Sequence, residues 1–224
     1  MSACEGWSLP DRELTLSCGK GSHDIMILPA NILKLSMILL LCWVGGAWAG
    51  YEEGEEAYLQ ENFPAALSEW RPLAEEGNTE AQNMLGYMYR YGQGVPQDFE
   101  QARLWYRRAA DLGNARAQNN LGAMYRQGLG VPQDYQEAFR WFLRAAEQGN
   151  GGAQNHVGLM YYKGEGVRKD LVQAYMWAYL AAQQGMDPSI QALDLLSQEM
   201  TAAQISEATD LARKWKPKGE EVAL

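Results

Sequence analysis

Cysteine and histidine are the scarce residues of this 224-residue chain. The three cysteines, Cys4, Cys18 and Cys42, all fall in the first 42 positions, and the two histidines are His23 and His156. A disulfide framework and a cysteine-built metal site are therefore excluded from the rest of the chain. A catalytic zinc, which usually draws on histidine, is a poor fit. No Gly-x-Ser-x-Gly elbow, Ser-x-x-Lys or Gly-x-x-x-x-Gly-Lys string occurs beyond residue 49. The Ser17-x-x-Lys20 string lies upstream of that point and is a chance occurrence. Glycine is plentiful at 23 residues, yet it forms neither a Gly-x-y register nor a Gly/Ser tract, which excludes collagen and linker classes. With 47% apolar and 21% charged residues, the composition is neither that of a polytopic membrane protein nor that of a disordered chain.

The one long apolar run spans residues 35–49. Lys34 precedes it and Ala47-Trp48-Ala49 closes it, the order of a secretory signal with its small-x-small cleavage site. The run is shorter than the roughly 20 residues that span a bilayer, so cleavage after Ala49 is expected in preference to an uncleaved anchor. Leu41, before Cys42, is too large for a lipoprotein site. Met26 opens a signal of ordinary length, making 26–49 the signal and 1–25 an over-called upstream segment. The expected mature chain starts at Gly50, is periplasmic or secreted, and has no transmembrane span. It carries 16 basic and 24 acidic residues, a net charge of −8, and no cysteine.

What fills the mature chain is a repeat. Ala81-Gln82, Ala117-Gln118 and Ala153-Gln154 recur every 36 residues. Gly86, Gly122 and Gly158 keep that interval, as do Trp105, Trp141 and Trp177. A fixed period of this length marks stacked units that share a continuous core. Each unit resolves into two helices. Apolar residues at Ala102, Trp105, Tyr106, Ala109 and Ala110 form one half-buried helical stripe. Asp98, Asp134 and Asp170, with Gln101, Glu137 and Gln173 three residues on, resemble capping boxes. Gly113 suits the left-handed end of the first helix, and Asn114 the cap of the second. The second helix buries Ala117, Leu121, Met124 and Tyr125, then stops at Gly128. Gly122 inside it costs about 1 kcal/mol relative to alanine; close approach of two helices with no side chain between them is the expected compensation. A last helix shows the stripe Ile205, Ala208, Leu211, Ala212 and Trp215, with Thr201 and Gln204 as its capping pair.

The string Ala117-Gln118-x-x-Leu121-Gly122-x-Met124-Tyr125-x-x-Gly128-x-Gly130-Val131-Pro132-x-Asp134, with its counterparts, resembles the Sel1-like repeat family, a 36-residue variant of the tetratricopeptide design. The resemblance covers about residues 55–216 and departs modestly at Val167-Arg168. It implies an all-α, right-handed α-α superhelical solenoid with a C-terminal capping helix. The expected order is an acidic leader over 50–61, repeats over 62–97, 98–133 and 134–169, a divergent repeat over 170–200, a capping helix over 201–216 and a tail over 217–224.

The resemblance further implies a non-enzymatic scaffold that binds a protein or peptide. Cysteine-rich relatives linked to β-lactams carry a cysteine pair in every unit, which this chain lacks, so a cell-wall or β-lactam hydrolase stands as the alternative. Carbohydrate binding through exposed Trp or Tyr is a second one. No catalytic residue, cofactor or metal is assigned.

Charge gives the local hint. Residues 50–102 carry a net −9, residues 103–144 a net +4, and residues 145–224 a net −3. The basic middle is a belt of arginines: Arg103, Arg107, Arg108, Arg116, Arg126, Arg140 and Arg144. Arginine's planar fork favours bidentate carboxylate contacts, so an acidic peptide is the expected partner. Nucleic acid fits poorly with an exported chain of net charge −8. Related repeats turn their first helices to a concave side, so a groove is expected over Arg103, Phe139 and Tyr175 and over Arg107, Leu143 and Tyr179. Asn120 and His156, equivalent to Met84, are expected to reach it from the second helices. The candidate partner-binding residues are therefore Arg103, Arg107, Asn120, Arg144 and His156.

Overall fold

The computed structural model describes residues 50–218. The expected upstream segment 1–25, the signal 26–49 and residues 219–224 of the tail lie outside the described residues. Among the described residues there is no strand. Helix α1 occupies 50–59. It is followed by α2 (Phe63–Glu75), α3 (Thr79–Tyr91), α4 (Phe99–Asp111), α5 (Ala115–Gln127), α6 (Tyr135–Glu147), α7 (Gly151–Lys163), α8 (Leu171–Gln183), α9 (Asp187–Glu199) and α10 (Ala202–Lys214). From α2 to α9 each helix packs on the next, giving an all-α repeat solenoid.

The helix boundaries follow from capping chemistry. The Asp98 carboxylate accepts the Gln101 amide at 2.9 Å, and Asp170 accepts that of Gln173 at 3.0 Å. Asn78, Asn114 and Asn150 each accept an alanine amide at 2.9 Å at the start of the second helices. Those helices end at Gly92, Gly128 and Gly164 with φ of 69°, 71° and 73°, where a side chain is disfavoured. The aspartate caps are one-sided. Glu137 does not reach back to its cap; its carboxylate accepts Trp141 Nε1 at 2.9 Å and pairs with Arg140 at 3.1 Å. The reciprocal box forms at Thr201 and Gln204.

Gly122 corrects the expectation of bare helix contact. A Cβ there would stand 2.9 Å from the Phe142 ring, and one at Gly86 would stand 2.6 Å from Tyr106. The glycine makes room for an aromatic side chain of the following helix. Trp70, 36 residues before Tyr106, sits on Gly54 of α1 in the same way. In the fourth unit the residue in register is Ala178, and Gly158 faces helix backbone, with Ala174 O at 3.1 Å and Ala178 N at 3.2 Å. There the expected bare approach is found.

The segment expected as a leader is thus a packed helix. Gly54 is buried, Trp70 Nε1 donates to the Tyr51 carbonyl at 3.1 Å, and Tyr58 packs on Trp70. Helix α1 packs on α2 as a second helix packs on the first helix that follows it, while Glu52, Glu53, Glu55 and Glu56 remain exposed.

At the other end, α10 packs on α8. Position 194, one period after Gly158, is Asp194, so α9 offers no glycine seat for an incoming ring. Trp215 meets Trp177 edge-on at 6.0 Å, and the Lys218 amide donates to the Glu147 carbonyl at 2.7 Å. Ala208 and Ala212 are buried as expected, but Leu211 is exposed and leaves the stripe.

Candidate binding site

The first helices α4 and α6 carry Arg107, Arg108, Arg140 and Arg144 exposed, while Arg116 and Arg126 of the belt lie on α5. Arg108 and Trp105 are three residues apart on α4, and so are Arg144 and Trp141 on α6, a spacing that stacks side chains on one helix face. The Arg108 guanidinium lies 4.5 Å from the Trp105 ring centre, and that of Arg144 lies 4.6 Å from Trp141. Arg107 covers Trp141 from the neighbouring helix at 5.1 Å. Trp141 is left only 2% exposed.

The arginines differ in what else they hold. Arg107 Nε contacts both carboxylate oxygens of Asp111, at 3.0 and 2.9 Å. That hydrogen bond is the main reason its pKa is raised. Arg126 pairs with Glu165 at 3.2 Å and Arg140 with Glu137. Arg108 and Arg144 have no acidic partner within ion-pair distance among the described residues. Stacked on indole, both side chains remain exposed. That is the geometry for gripping a carboxylate bidentately with little ordering cost.

Of the expected site residues, the structure brings Arg107 and Arg144 together on Trp141. Arg103 is partly buried, with Nε enclosed and without a hydrogen-bond partner. Asn120 donates to Asn83 at 3.0 Å between neighbouring second helices. The His156 ring lies against Phe142 at 4.5 Å with Nδ1 enclosed and unpartnered. Burial, with Arg126 adding to it, lowers the His156 pKa to about 4, so the ring is neutral at pH 7. No hydrogen bond, ion pair or ring contact joins Asn120 or His156 to the arginine pair. Arg107 and Arg144 also shield an indole. Arg108 is not among the candidate residues above, although Trp105-x-x-Arg108 and Trp141-x-x-Arg144 are legible as a repeated pair.

Hollows elsewhere among the described residues include two. One of about 550 Å3, between the N-terminal ends of α3 and α5, is bordered by Tyr51, Glu80, Leu112, Asn114 and Arg116. The other, smaller and apolar, lies between α7, α8 and α9. Among the described residues no three His, Cys, Asp or Glu side chains converge as a metal site, and no helix is long and apolar enough to cross a membrane.

The paired helices and the exposed first-helix face define a helical-repeat solenoid of the kind that presents an extended surface. Residues 79–114, 115–150 and 152–186 match the Sel1 repeat. The chain carries three Sel1 repeats. Its matched units begin at the second helix of one expected repeat and run through the first helix of the next, the same period in another phase. A Sel1 repeat protein from Oxalobacter formigenes is 33% identical with a TM-score of 0.62, the match covering 65% of this chain and 60% of that one. A protective antigen of uropathogenic Escherichia coli strains, c5321, displaying an SLR fold, is 30% identical with a TM-score of 0.51, covering 75% and 45%. The chain therefore spans less than two thirds of either structure's length. No curated protein matches it. Sel1 repeats generally mediate protein–protein contact and are typically non-catalytic.

Proposed function

We propose that this protein is a non-enzymatic scaffold of the bacterial cell envelope that binds an acidic segment of a protein partner. The signal-like segment at 26–49 supports export. The observation that carries the binding reading is the pair of indole-stacked arginines, Arg108 on Trp105 and Arg144 on Trp141, one repeat apart and without acidic partners among the described residues. Two planar forks at repeat spacing suit a segment with two carboxylates. The hydrolase alternative has less support: His156, the one histidine of the described residues, is enclosed and makes no hydrogen bond through Nδ1.

The test is site-directed photocrosslinking from Leu104, which is 40% exposed on the arginine-bearing helix α4. The wild-type protein should give a discrete protein adduct in envelope extracts, and the adduct should weaken in the Arg108→Ala/Arg144→Ala variant. Turnover of a β-lactam reporter by the purified chain, with no adduct, would reverse the proposal. Mass spectrometry of the mature N-terminus checks export, with Gly50 as the expected first residue.

A further inference from the structure

The hollow of about 550 Å3 between the N-terminal ends of α3 and α5 is bordered by Tyr51, Glu80, Asn83, Leu112, Gly113 and Arg116, among others. That volume falls within the range of about 300–1,000 Å3 usual for small-ligand sites. Glu80 and Arg116 occupy one repeat position, a period apart, with opposite charges. Neither belongs to an ion pair among the described residues. Glu80 instead accepts hydrogen bonds from two neutral donors, the Thr79 hydroxyl at 2.9 Å and Asn114 Nδ2 at 3.4 Å. Its charge is held in place and left uncompensated.

The hollow also has a built-in donor. Asn83 is only 7% exposed, and its Oδ1 accepts from Asn120 Nδ2 at 3.0 Å. Its own Nδ2 makes no hydrogen bond among the described residues and is not enclosed, so it opens to the hollow. A buried amide fixed at one end and free at the other asks for an acceptor oxygen. The backbone amides of Ala115 and Arg116, in the first turn of α5, have no acceptor either. Burial raises the pKa of Tyr51, Glu55 and Glu80 add to the rise and Arg116 opposes it, so the hydroxyl beside these charges stays protonated. One period on, Arg116 and Gly152 take the places of Glu80 and Arg116, and Gln148 that of Leu112, so the opposed charges belong to this pair of helices.

An anion alone would meet the uncompensated Glu80, and a cation alone would meet Arg116; a ligand carrying both charges neutralises both. We propose that this hollow binds a short free peptide by its two charged ends. The ammonium sits at Glu80, the carboxylate at Arg116 and the first-turn amides of α5, and a backbone carbonyl accepts from Asn83 Nδ2. The site stands apart from Arg108 and Arg144, so it holds or fails independently of the acidic-partner reading.

The full chain, labelled with 15N, is titrated with trialanine, with N-acetyl-trialanine and with trialanine amide, following the Asn83 side-chain amide and the Gly113 signal. The expected result is saturable shifts with trialanine and several-fold weaker binding of each blocked peptide. Glu80→Gln should abolish the preference over the acetylated peptide and keep that over the amide; Arg116→Gln should do the reverse. Both side chains are exposed, so helical circular dichroism should be unchanged. The Arg108→Ala/Arg144→Ala variant should bind trialanine as the wild type does. Absent shifts or equal affinity for the three peptides in the wild type would overturn the proposal without any variant. So would end preferences that persist in the folded Glu80 and Arg116 variants, or binding lost in the Arg108→Ala/Arg144→Ala variant.

Discussion

At the scale of single residues, two departures from the repeat leave buried polar atoms without partners. Gln118 Nε2 donates to the Ala110 carbonyl at 3.1 Å, and its Oε1 accepts from Gln148 at 2.8 Å; Gln154 and Gln184 repeat the second bond at 2.9 Å. One unit earlier the donor's position holds Leu112, which is 63% exposed, and Gln82 Oε1 is enclosed with no partner. Leu112→Gln should complete the ladder and raise stability by about 0.5–1.5 kcal/mol, read as a higher urea midpoint with unchanged slope. His156 is the second departure. It stands one period after Asn120, and Asn119 one period after Asn83. Where Asn120 bonds Asn83, Asn119 Oδ1 and His156 Nδ1 are both enclosed and unpartnered. The folded pKa of His156, about 4, lies below the ordinary 6.5 because burial disfavours the charged ring. Between those values the unfolded chain binds more protons than the native one. This contribution is therefore constant above pH 6.5 and is lost as pH falls through 4, by up to about 3 kcal/mol. His156→Asn should supply a donor to Asn119 and remove that component, so denaturation midpoints at pH 7 and pH 4.5 should differ less in the variant than in wild type. Equal pH dependence in the two proteins would contradict it.

At the scale of elements, a glycine-and-ring seat joins successive units at Gly54, Gly86 and Gly122. Gly122→Ala gains about 1 kcal/mol of helix propensity but pushes a methyl 2.9 Å from the Phe142 ring, an overpacking cost of about 1–3 kcal/mol. A net loss of stability is expected, and it should shrink in a Phe142→Ala background, where the ring is gone. A double-mutant cycle in chemical denaturation measures this coupling; strict additivity would mean that the ring and the glycine do not bear on each other. Most of the helix plan was legible in the sequence, because Asp and Asn caps, Gly stops and the apolar stripes repeat at one interval. The identity of the glycine's neighbour was not, since it comes from the following unit and changes from Trp to Tyr to Phe to Ala. Helix α1 was hidden for a related reason: Gly54 precedes Gly86 by 32 residues and breaks the period, and its flanking glutamates read as a solvated leader.

At the scale of the whole molecule, charge along the chain pointed to the arginine-rich middle but not to the members that remain available. Asp111, Glu137 and Glu165 neutralise Arg107, Arg140 and Arg126. Pairing of this kind depends on rotamers and on helix neighbours, which composition does not encode. Trp177 lacks an arginine three residues on and is met by Trp215 at the end of α10, so the stacked-arginine surface stops where the closing segment packs. The most direct measurement is a calorimetric titration of the crosslinked partner, once purified, against wild type, Arg108→Ala/Arg144→Ala and Arg107→Ala across a salt series. The account predicts a loss of about tenfold or more for the double variant, beyond the ~0–1 kcal/mol of an exposed ion pair. Arg107→Ala, whose charge is already held by Asp111, should lose less, and wild-type affinity should fall as salt rises. Unchanged affinity of a folded double variant at low salt would contradict the account and place the partner on another surface.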